Sequence, residues 1–216
     1  MSGFFPIILS SPSGGGKTTI AKALLRRRND LGYSVSCTTR RPRPDEKEGQ
    51  DYFFVTQDAF VAAIENGEFA ESAEVHGNLY GTLRREVDRV IASGRHVVMD
   101  IDVQGTRQLV KAYPESVTVF LIPPDAEILL SRLKGRGTES PDSLARRIKS
   151  AVEELRAVDL YGYLVVNHDL DEAVRAVSSI VDAESMRLAR LDEVRFRIGA
   201  MITDLESELE KMNRRS

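Results

Sequence analysis

Residues 4 to 19 constrain the fold more than any other stretch. Phe4, Phe5, Ile7, Ile8 and Leu9 form a short apolar run with the character of a buried strand, and it passes into Ser10-Ser11-Pro12-Ser13-Gly14-Gly15-Gly16-Lys17-Thr18-Thr19. A helical pattern follows through Ile20, Leu24 and Leu25. A strand that opens through a glycine-rich turn into a helix aims backbone N–H groups and a helix N-terminus at one point, which makes an anion site. Gly16, Lys17 and Thr18 fit the end of G-x-x-x-x-G-K-[ST], and Ser11 takes the first glycine position. That motif gives Lys17 to the β- and γ-phosphates of a nucleoside triphosphate and the Thr18 hydroxyl to Mg²⁺. Three glycines alone describe a flexible turn; the strand before them and the lysine, hydroxyl and helix after them mark a phosphate loop.

Further strand-like runs occur at Tyr33 to Cys37, His96 to Ile101, Val117 to Ile122 and Tyr163 to Val166, separated by stretches of helical spacing. Strands alternating with helices predict an α/β fold with a parallel sheet covered on both faces. Residues 38 to 82 interrupt the alternation. They are rich in Arg, Pro, Gly, Glu and Tyr, with strand candidates at Tyr52 to Val55 and Glu71 to Val75, and read as an inserted, mostly β subdomain. Inside it a helix is expected at Gln57 to Glu65, capped by Thr56 and ended by Asn66-Gly67. A second helix is expected from Leu83 to Ser93, with Val87, Val90 and Ile91 on one face and Gly94 as its stop. A third starts near Ser140 with Pro141 in the first helical position, its stripe being Leu144, Ile148, Val152 and Leu155.

Composition removes several function classes. The 216 residues suffice for a full core without staples, and the single cysteine, Cys37, excludes an intramolecular disulfide and has no partner cluster for zinc. A net charge of −3 argues against a general nucleic-acid binder. No apolar stretch approaches the roughly 20 residues that span a bilayer, and Met1-Ser2-Gly3 does not begin a signal peptide. A cytoplasmic protein with no nucleic-acid or membrane partner is expected.

Residues 36 to 52 run Ser36, Cys37, Thr38, Thr39, Arg40, Arg41, Pro42, Arg43, Pro44, Asp45, Glu46, Lys47, Glu48, Gly49, Gln50, Asp51, Tyr52. Three arginines on a turn are compatible with a solvated surface. Pro42 and Pro44 restrict the backbone between them, however, and hold guanidinium groups in an array suited to a phosphate oxyanion. This stretch resembles the guanylate kinase signature. The likeness continues through Glu71-Ser72-Ala73-Glu74-Val75-His76-Gly77-Asn78-Leu79-Tyr80-Gly81-Thr82, through Val98-Met99-Asp100-Ile101-Asp102-Val103-Gln104-Gly105, and into Gly135-Arg136-Gly137-Thr138-Glu139, which resembles a lid. Four blocks in order cover roughly residues 4 to 185.

The resemblance implies a P-loop core at 1–35, 83–133 and 156–185, a GMP-binding subdomain at 36–82 and a helical lid at 134–155; beyond it, helical spacing predicts a C-terminal helical extension at 186–216. It implies ATP-dependent conversion of GMP, and of dGMP, to the diphosphate with Mg²⁺. By position, Arg40, Arg43, Tyr52 and Tyr80 would hold the GMP phosphate, and Ser36, Glu71, Thr82 and Asp100 would read the guanine. Guanine offers N1–H and the N2 amino group as adjacent donors, and one carboxylate accepts both; adenine offers no such pair. ATP would lie against Ser13, Gly14, Gly15, Gly16, Lys17, Thr18, Thr19, Arg132 and Asn167. Lys17, Arg40, Arg136 and Arg147 would carry the catalytic charge. Thr18 and Asp100 are the metal candidates, with Asp102 on the other face if its strand persists. Arg146 reads as a surface charge, and His76, His96 and His168 read as structural or exposed. Asp45 and Leu79 depart from the family's usual glycine and tyrosine, without loss of a catalytic charge.

Two rivals remain open on the residues alone: a non-catalytic module of the same fold, and a P-loop kinase with another small acceptor. Retained Lys17, Arg136 and Arg147 speak against the first, and Ser36, Glu71 and Thr82 against the second. The tail is a separate matter. From Asp171 to Asn213 there is no proline and one glycine, Gly199. A continuous helix here would be about 64 Å long in a chain whose compact radius of gyration is about 17 Å, so it must break or project. Val194, Ile198, Met201, Leu205, Leu209 and Met212 keep coiled-coil-like spacing, which predicts a homo-oligomer joined through this helix. The competing expectation is a helix folded back on its own domain.

Overall fold

A computed structural model describes residues 3–75, 77–134 and 141–213. Strand β1 (Pro6–Ser10) is buried at every position and lies at the centre of a five-stranded sheet. Its neighbours are β7 (His96–Asp100) and β8 (Val117–Ile122), with β2 (Leu31–Tyr33) and β9 (Tyr163–Val166) at the edges. All four pairings are parallel. The three central strands are covered on both faces, which is why they read as continuous apolar runs. Ile7 and Leu9 pack with Ile20 and Leu24 of α1 (Lys17–Arg27) and with Val177 and Val181 of α7 (Leu170–Ser185). Ile8, pointing the other way, packs with Val87 and Val90 of α3 (Arg84–Ala92) and Leu109 of α4 (Val103–Ala112).

The chain leaves β1 toward β2 on one side and leaves the adjacent β7 toward β8 on the other. Connections that diverge in this way open a crevice beyond the carboxyl ends of the two strands, which is where open α/β sheets take ligands. Lys17 follows β1 and Asp100 ends β7, so both stand at this crevice.

Beside it lies a second sheet in the order β4 (Phe53–Phe54), β3 (Ser36–Thr38), β6 (Asn78–Leu83), β5 (Phe69–Val75). It has its own small core of Cys37, Phe60, Phe69 and Leu83, with the Phe60 and Phe69 rings stacked at 4.4 Å. Phe60 comes from α2 (Gln57–Glu65), whose start is capped as expected: the Thr56 side chain accepts the Ala59 N–H. Helices α5 (Ala126–Lys134) and α6 (Pro141–Arg156) pack together over Leu129, Leu133 and Ala151. Among the described residues no helix is long and apolar enough to cross a membrane.

Four sequence expectations need correction. The run at Tyr33 to Cys37 is two strands: β2 ends at Tyr33 in the parallel sheet, and β3 starts at Ser36 in the second one. Ser34 and Val35 carry the chain between sheets, so an apolar run that looked continuous serves two cores. Strand β6 went unread, because Asn-Leu-Tyr-Gly-Thr-Leu lacks clean alternation. On α6 the packed positions are Leu144, Ile148 and Ala151, whereas Val152 and Leu155 are exposed, because the small Ala151 lets α6 approach α5 along a slightly rotated face. Lastly, β7 stops at Asp100, so Asp102 does not lie on a strand; it is the N-cap of α4 and accepts the Gly105 N–H at 2.8 Å.

The tail both breaks and projects. α7 ends at Ser185, a 3₁₀ turn covers Leu188–Arg190, and α8 (Asp192–Asn213) has no buried residue.

Candidate active site

The phosphate loop is built from backbone. Gly14 and Gly16 take φ of 84° and 95°, left-handed values that side chains disfavour, and they turn the chain so that α1 begins at Lys17. A Cβ at Gly16 would also lie 2.7 Å from Asn167 Nδ2. Asn167 is buried and donates from that nitrogen to the Gly15 carbonyl at 3.0 Å, tying the loop to the end of β9. The loop opens on a cavity of about 450 Å³ lined by Gly14, Gly16, Lys17, Thr18, Thr19, Arg132 and Asn167. All seven were singled out in the sequence. Ser13 and Gly15 belong to the same loop but face away: the Ser13 N–H donates to Glu154 Oε2 of α6 at 2.9 Å, and the Gly15 N–H to the Pro12 carbonyl at 2.8 Å.

A second cavity, of about 190 Å³, lies between the two sheets. Ser36, Tyr52, Glu71, Tyr80 and Asp100 line it, and so does Lys17, which therefore borders both cavities. Side chains make this site. Glu71, 5% exposed, accepts the Thr82 hydroxyl on Oε1 at 2.7 Å. Burial pushes the Glu71 carboxyl up to about 7, against the pull of the Thr82 hydrogen bond, and the charge of Asp102 adds to the rise. Glycine at 105 leaves room for this carboxylate: a Cβ there would lie 2.5 Å from Glu71 Oε2, so the carboxylate would have to shift. Tyr52 and Tyr80 meet edge to face, with centroids 5.9 Å apart, and burial pushes the Tyr52 phenol up to about 12.

Arg40 adjoins this wall, donating from Nε to the Tyr80 hydroxyl at 3.2 Å and lying 5.5 Å over the Tyr52 ring. Its outer nitrogen pairs with Glu46 at 2.8 Å. Burial penalises the Glu46 carboxylate, but Arg40 and the Arg43 N–H hold it below the usual range. The Arg43 side chain is exposed and lies 3.8 Å from Glu46, and it is not among the residues that line the cavity.

Where the cavities meet, Thr18 donates from Oγ1 to Asp100 Oδ2 at 2.5 Å, and the Tyr33 hydroxyl donates to Asp100 Oδ1 at 2.6 Å. Both Asp100 oxygens are thus fixed. Oxygen ligands from one carboxylate and one hydroxyl, next to a phosphate site, suit a hard cation that takes its other ligands from water and substrate. Among the described residues no group of three or more His, Cys, Asp and Glu could hold a metal by itself.

The lid candidate Arg147 lines neither cavity. Arg147 is buried and donates to the Leu133 carbonyl at 2.7 Å, at the C-terminal end of α5. Arg136, with residues 135–140, lies outside the described residues, as does His76. His96 is structural as expected, its Nδ1 accepting the Phe5 N–H at 3.3 Å. His168 is exposed, as expected, and lies at the wall of the larger cavity together with Ser11 and Leu170. Tyr33, Glu46 and Glu154 escaped the sequence reading, as did the helix-cap position of Asp102. Tyr33 carried a usable signal, a polar aromatic at a strand's carboxyl end, but the fused reading of residues 33 to 37 hid that end.

A glycine-loop parallel sheet whose lysine borders two cavities defines a nucleotide-binding P-loop kinase. More narrowly, the chain belongs to the guanylate kinase family, since a sequence model described as guanylate kinase matches residues 4–184. Among similar proteins, the guanylate kinase of Thermotoga maritima is 45% identical over 183 residues, 85% of this chain and 88% of that one. That of Nitrosospira multiformis is 42% identical over 85% of this chain and 87% of its own. A crystal structure of guanylate kinase from Anaplasma phagocytophilum superposes with a TM-score of 0.73 at 34% identity, covering 88% of this chain and 90% of that chain.

Proposed function

We propose that the protein transfers the γ-phosphoryl group of ATP directly to GMP, forming GDP and ADP. The observation that carries this reading is that Lys17 borders both cavities. A triphosphate on the loop and a monophosphate in the smaller cavity would meet at its ammonium. A phosphate oxygen of GMP attacks the γ-phosphorus, the bond from that phosphorus to the β–γ bridging oxygen breaks, and ADP leaves. The acceptor is already a nucleophile, so the protein's task is to align the two anions and surround the transferring group with positive charge.

Lys17 supplies that charge at the junction. Arg40 exchanges Glu46 for the GMP phosphate, and Tyr52 and Tyr80 donate to the same oxygens, with Arg43 reaching in from the rim. Arg136 and Arg147 would complete the charge by closure of residues 134–155 over the core formed by 1–35, 83–133 and 156–185, the subdomain 36–82 closing from the opposite side. Thr18 and Asp100 are the residues that would hold Mg²⁺, which would supply positive charge against the phosphates. Arg132 and Asn167 stand where the adenosine end of ATP would leave the loop.

Base choice follows from Glu71. As a carboxylate it accepts both guanine donors, with Ser36, Thr82 and Asp100 completing the edge; adenine would leave it desolvated and unpaired. The named side chains address the guanine and the phosphate rather than the ribose, which supports dGMP as a second acceptor. We further propose a reducing, cytoplasmic setting, in keeping with the buried free thiol of Cys37, and self-association through α8. The test is ADP release with GMP, dGMP, AMP, CMP and UMP offered separately. Turnover with GMP and dGMP alone is expected; equal turnover with AMP would overturn the reading.

A further inference from the structure

Helix α8 is the largest element the two cavities do not use, and it lies beyond the matched span of 4–184. None of its 22 residues is buried. Val194, Ile198, Met201, Ile202, Leu205 and Leu209 are between 39% and 64% exposed. At 3.6 residues per turn these six fall within an arc of about 100°, one continuous apolar stripe along a helix about 33 Å long. The base of the helix is clamped rather than loose. Arg190 lies 4.1 Å over the Phe5 ring and pairs with Glu184 at 2.8 Å, the two side chains being 13% and 8% exposed. Phe5 precedes β1, so α8 departs from the end of the sheet remote from the cavities.

We propose that α8 forms a homodimer in which two copies of the helix pair antiparallel about a two-fold axis passing between Met201 and Ile202. The proposal rests on the self-association put forward above and specifies its geometry. Two independent features of the helix point to it.

The first is the spacing of the stripe, which is symmetric. Met201 and Ile202, Ile198 and Leu205, and Val194 and Leu209 stand at equal distances on either side of one midpoint. A second copy running the opposite way therefore sets Val194 level with Leu209 and Ile198 level with Leu205, so each apolar residue meets an apolar residue. A closed two-fold interface demands such self-complementarity.

The second is the charge pattern. Arg195 and Arg197 lie in the first half of the helix, and Asp204, Glu206 and Glu208 in the second. With antiparallel helices, Arg195 comes beside Glu206 of the second copy on one flank, and Arg197 beside its Glu208 on the other. Parallel helices would put Arg195 beside Arg197 and Glu206 beside Glu208, like charges along both flanks. Opposite charges flanking an apolar seam set partner and direction.

The test uses the full-length chain. Light scattering should give a dimer at micromolar concentration, and Ile198→Glu with Leu205→Glu should give a monomer that still phosphorylates GMP. Reversing Arg195 and Arg197 to Glu should weaken the dimer by about tenfold, and adding Glu206→Arg with Glu208→Arg should restore it. Direction is read by disulfide capture, for which the buried Cys37 is a silent background. Met201→Cys should cross-link to itself. Val194→Cys should not, yet should cross-link when mixed with Leu209→Cys. A monomeric full-length chain, or a dimer undiminished by the two glutamates, would overturn α8 as the interface. A dimer in which Val194→Cys readily captures itself would overturn the antiparallel register while leaving association through the helix intact. None of these outcomes bears on phosphoryl transfer, which is judged by the nucleotide assay.

Discussion

The two cavities solve neighbouring problems with different materials. The larger one is made of main chain: glycines at φ of 84° and 95° and the start of α1 face a ligand that needs only negative charge to be recognised. The smaller one is made of side chains from β3, β5, β6 and β7 and the cap of α4, because a purine edge must be told apart by donors and acceptors. Backbone suits any phosphate of the right spacing, whereas the group proposed to choose among bases is a buried carboxylate fixed by Thr82. Changes on the two sides should accordingly fail in different ways.

The largest effect is expected at the residue both sides share. Lys17→Ala should lower kcat by about a thousandfold or more at unchanged thermal stability, since a loop lysine supplies charge to the transition state and little packing. Near-normal turnover in the folded variant would separate the cavities' roles from Lys17. Next comes Gly105→Ala. Its methyl group displaces the Glu71 carboxylate, and KM for GMP should rise by about tenfold, in keeping with the roughly 1–3 kcal/mol cost of a forced shift. The dissociation constant for ATP should stay fixed; a parallel loss of ATP binding would mean the effect travels through the fold instead.

The smallest effect is a pH dependence confined to one side. Glu71 is raised to about 7, so it takes up a proton as pH falls below that value, and a protonated carboxyl cannot accept two guanine donors. KM for GMP should climb by about fivefold between pH 7 and pH 6, while KM for ATP changes far less. Binding of GMP at neutral pH should also release protons, which calorimetry in buffers of different ionisation enthalpy measures. A GMP affinity that is flat across this range would place the Glu71 proton elsewhere.

The same contrast explains what the sequence disclosed. The phosphate loop occupies consecutive residues, so its strand, glycines, lysine and hydroxyl could be read directly, and so could α2, whose caps at Thr56 and Asn66 are local. β8 was legible because a strand buried on both faces is an uninterrupted apolar run, and β9 because Tyr163 to Val166 is apolar throughout, although Leu164 and Val166 are exposed at the sheet edge. The smaller cavity is assembled across the chain. The roles of Ser36, Glu71, Tyr80 and Asp100 came from family resemblance, because spacing alone gave an exposed strand carboxylate and packing tyrosines. Contacts with no local imprint were missed: Tyr33 on Asp100, Glu154 on the Ser13 N–H, and Gly105 beneath Glu71. The contact of Arg147 with the Leu133 carbonyl at the end of α5 likewise has no local imprint.

The account rests on Glu71 as the group that reads the base, and comparing kcat/KM for GMP and AMP in the native protein and in Glu71→Gln tests it most directly. An amide cannot accept both guanine donors, so kcat/KM for GMP should fall by about 1–3 kcal/mol, roughly 5- to 150-fold, with the low rate on AMP unchanged or raised. Equal losses on GMP and AMP would contradict it.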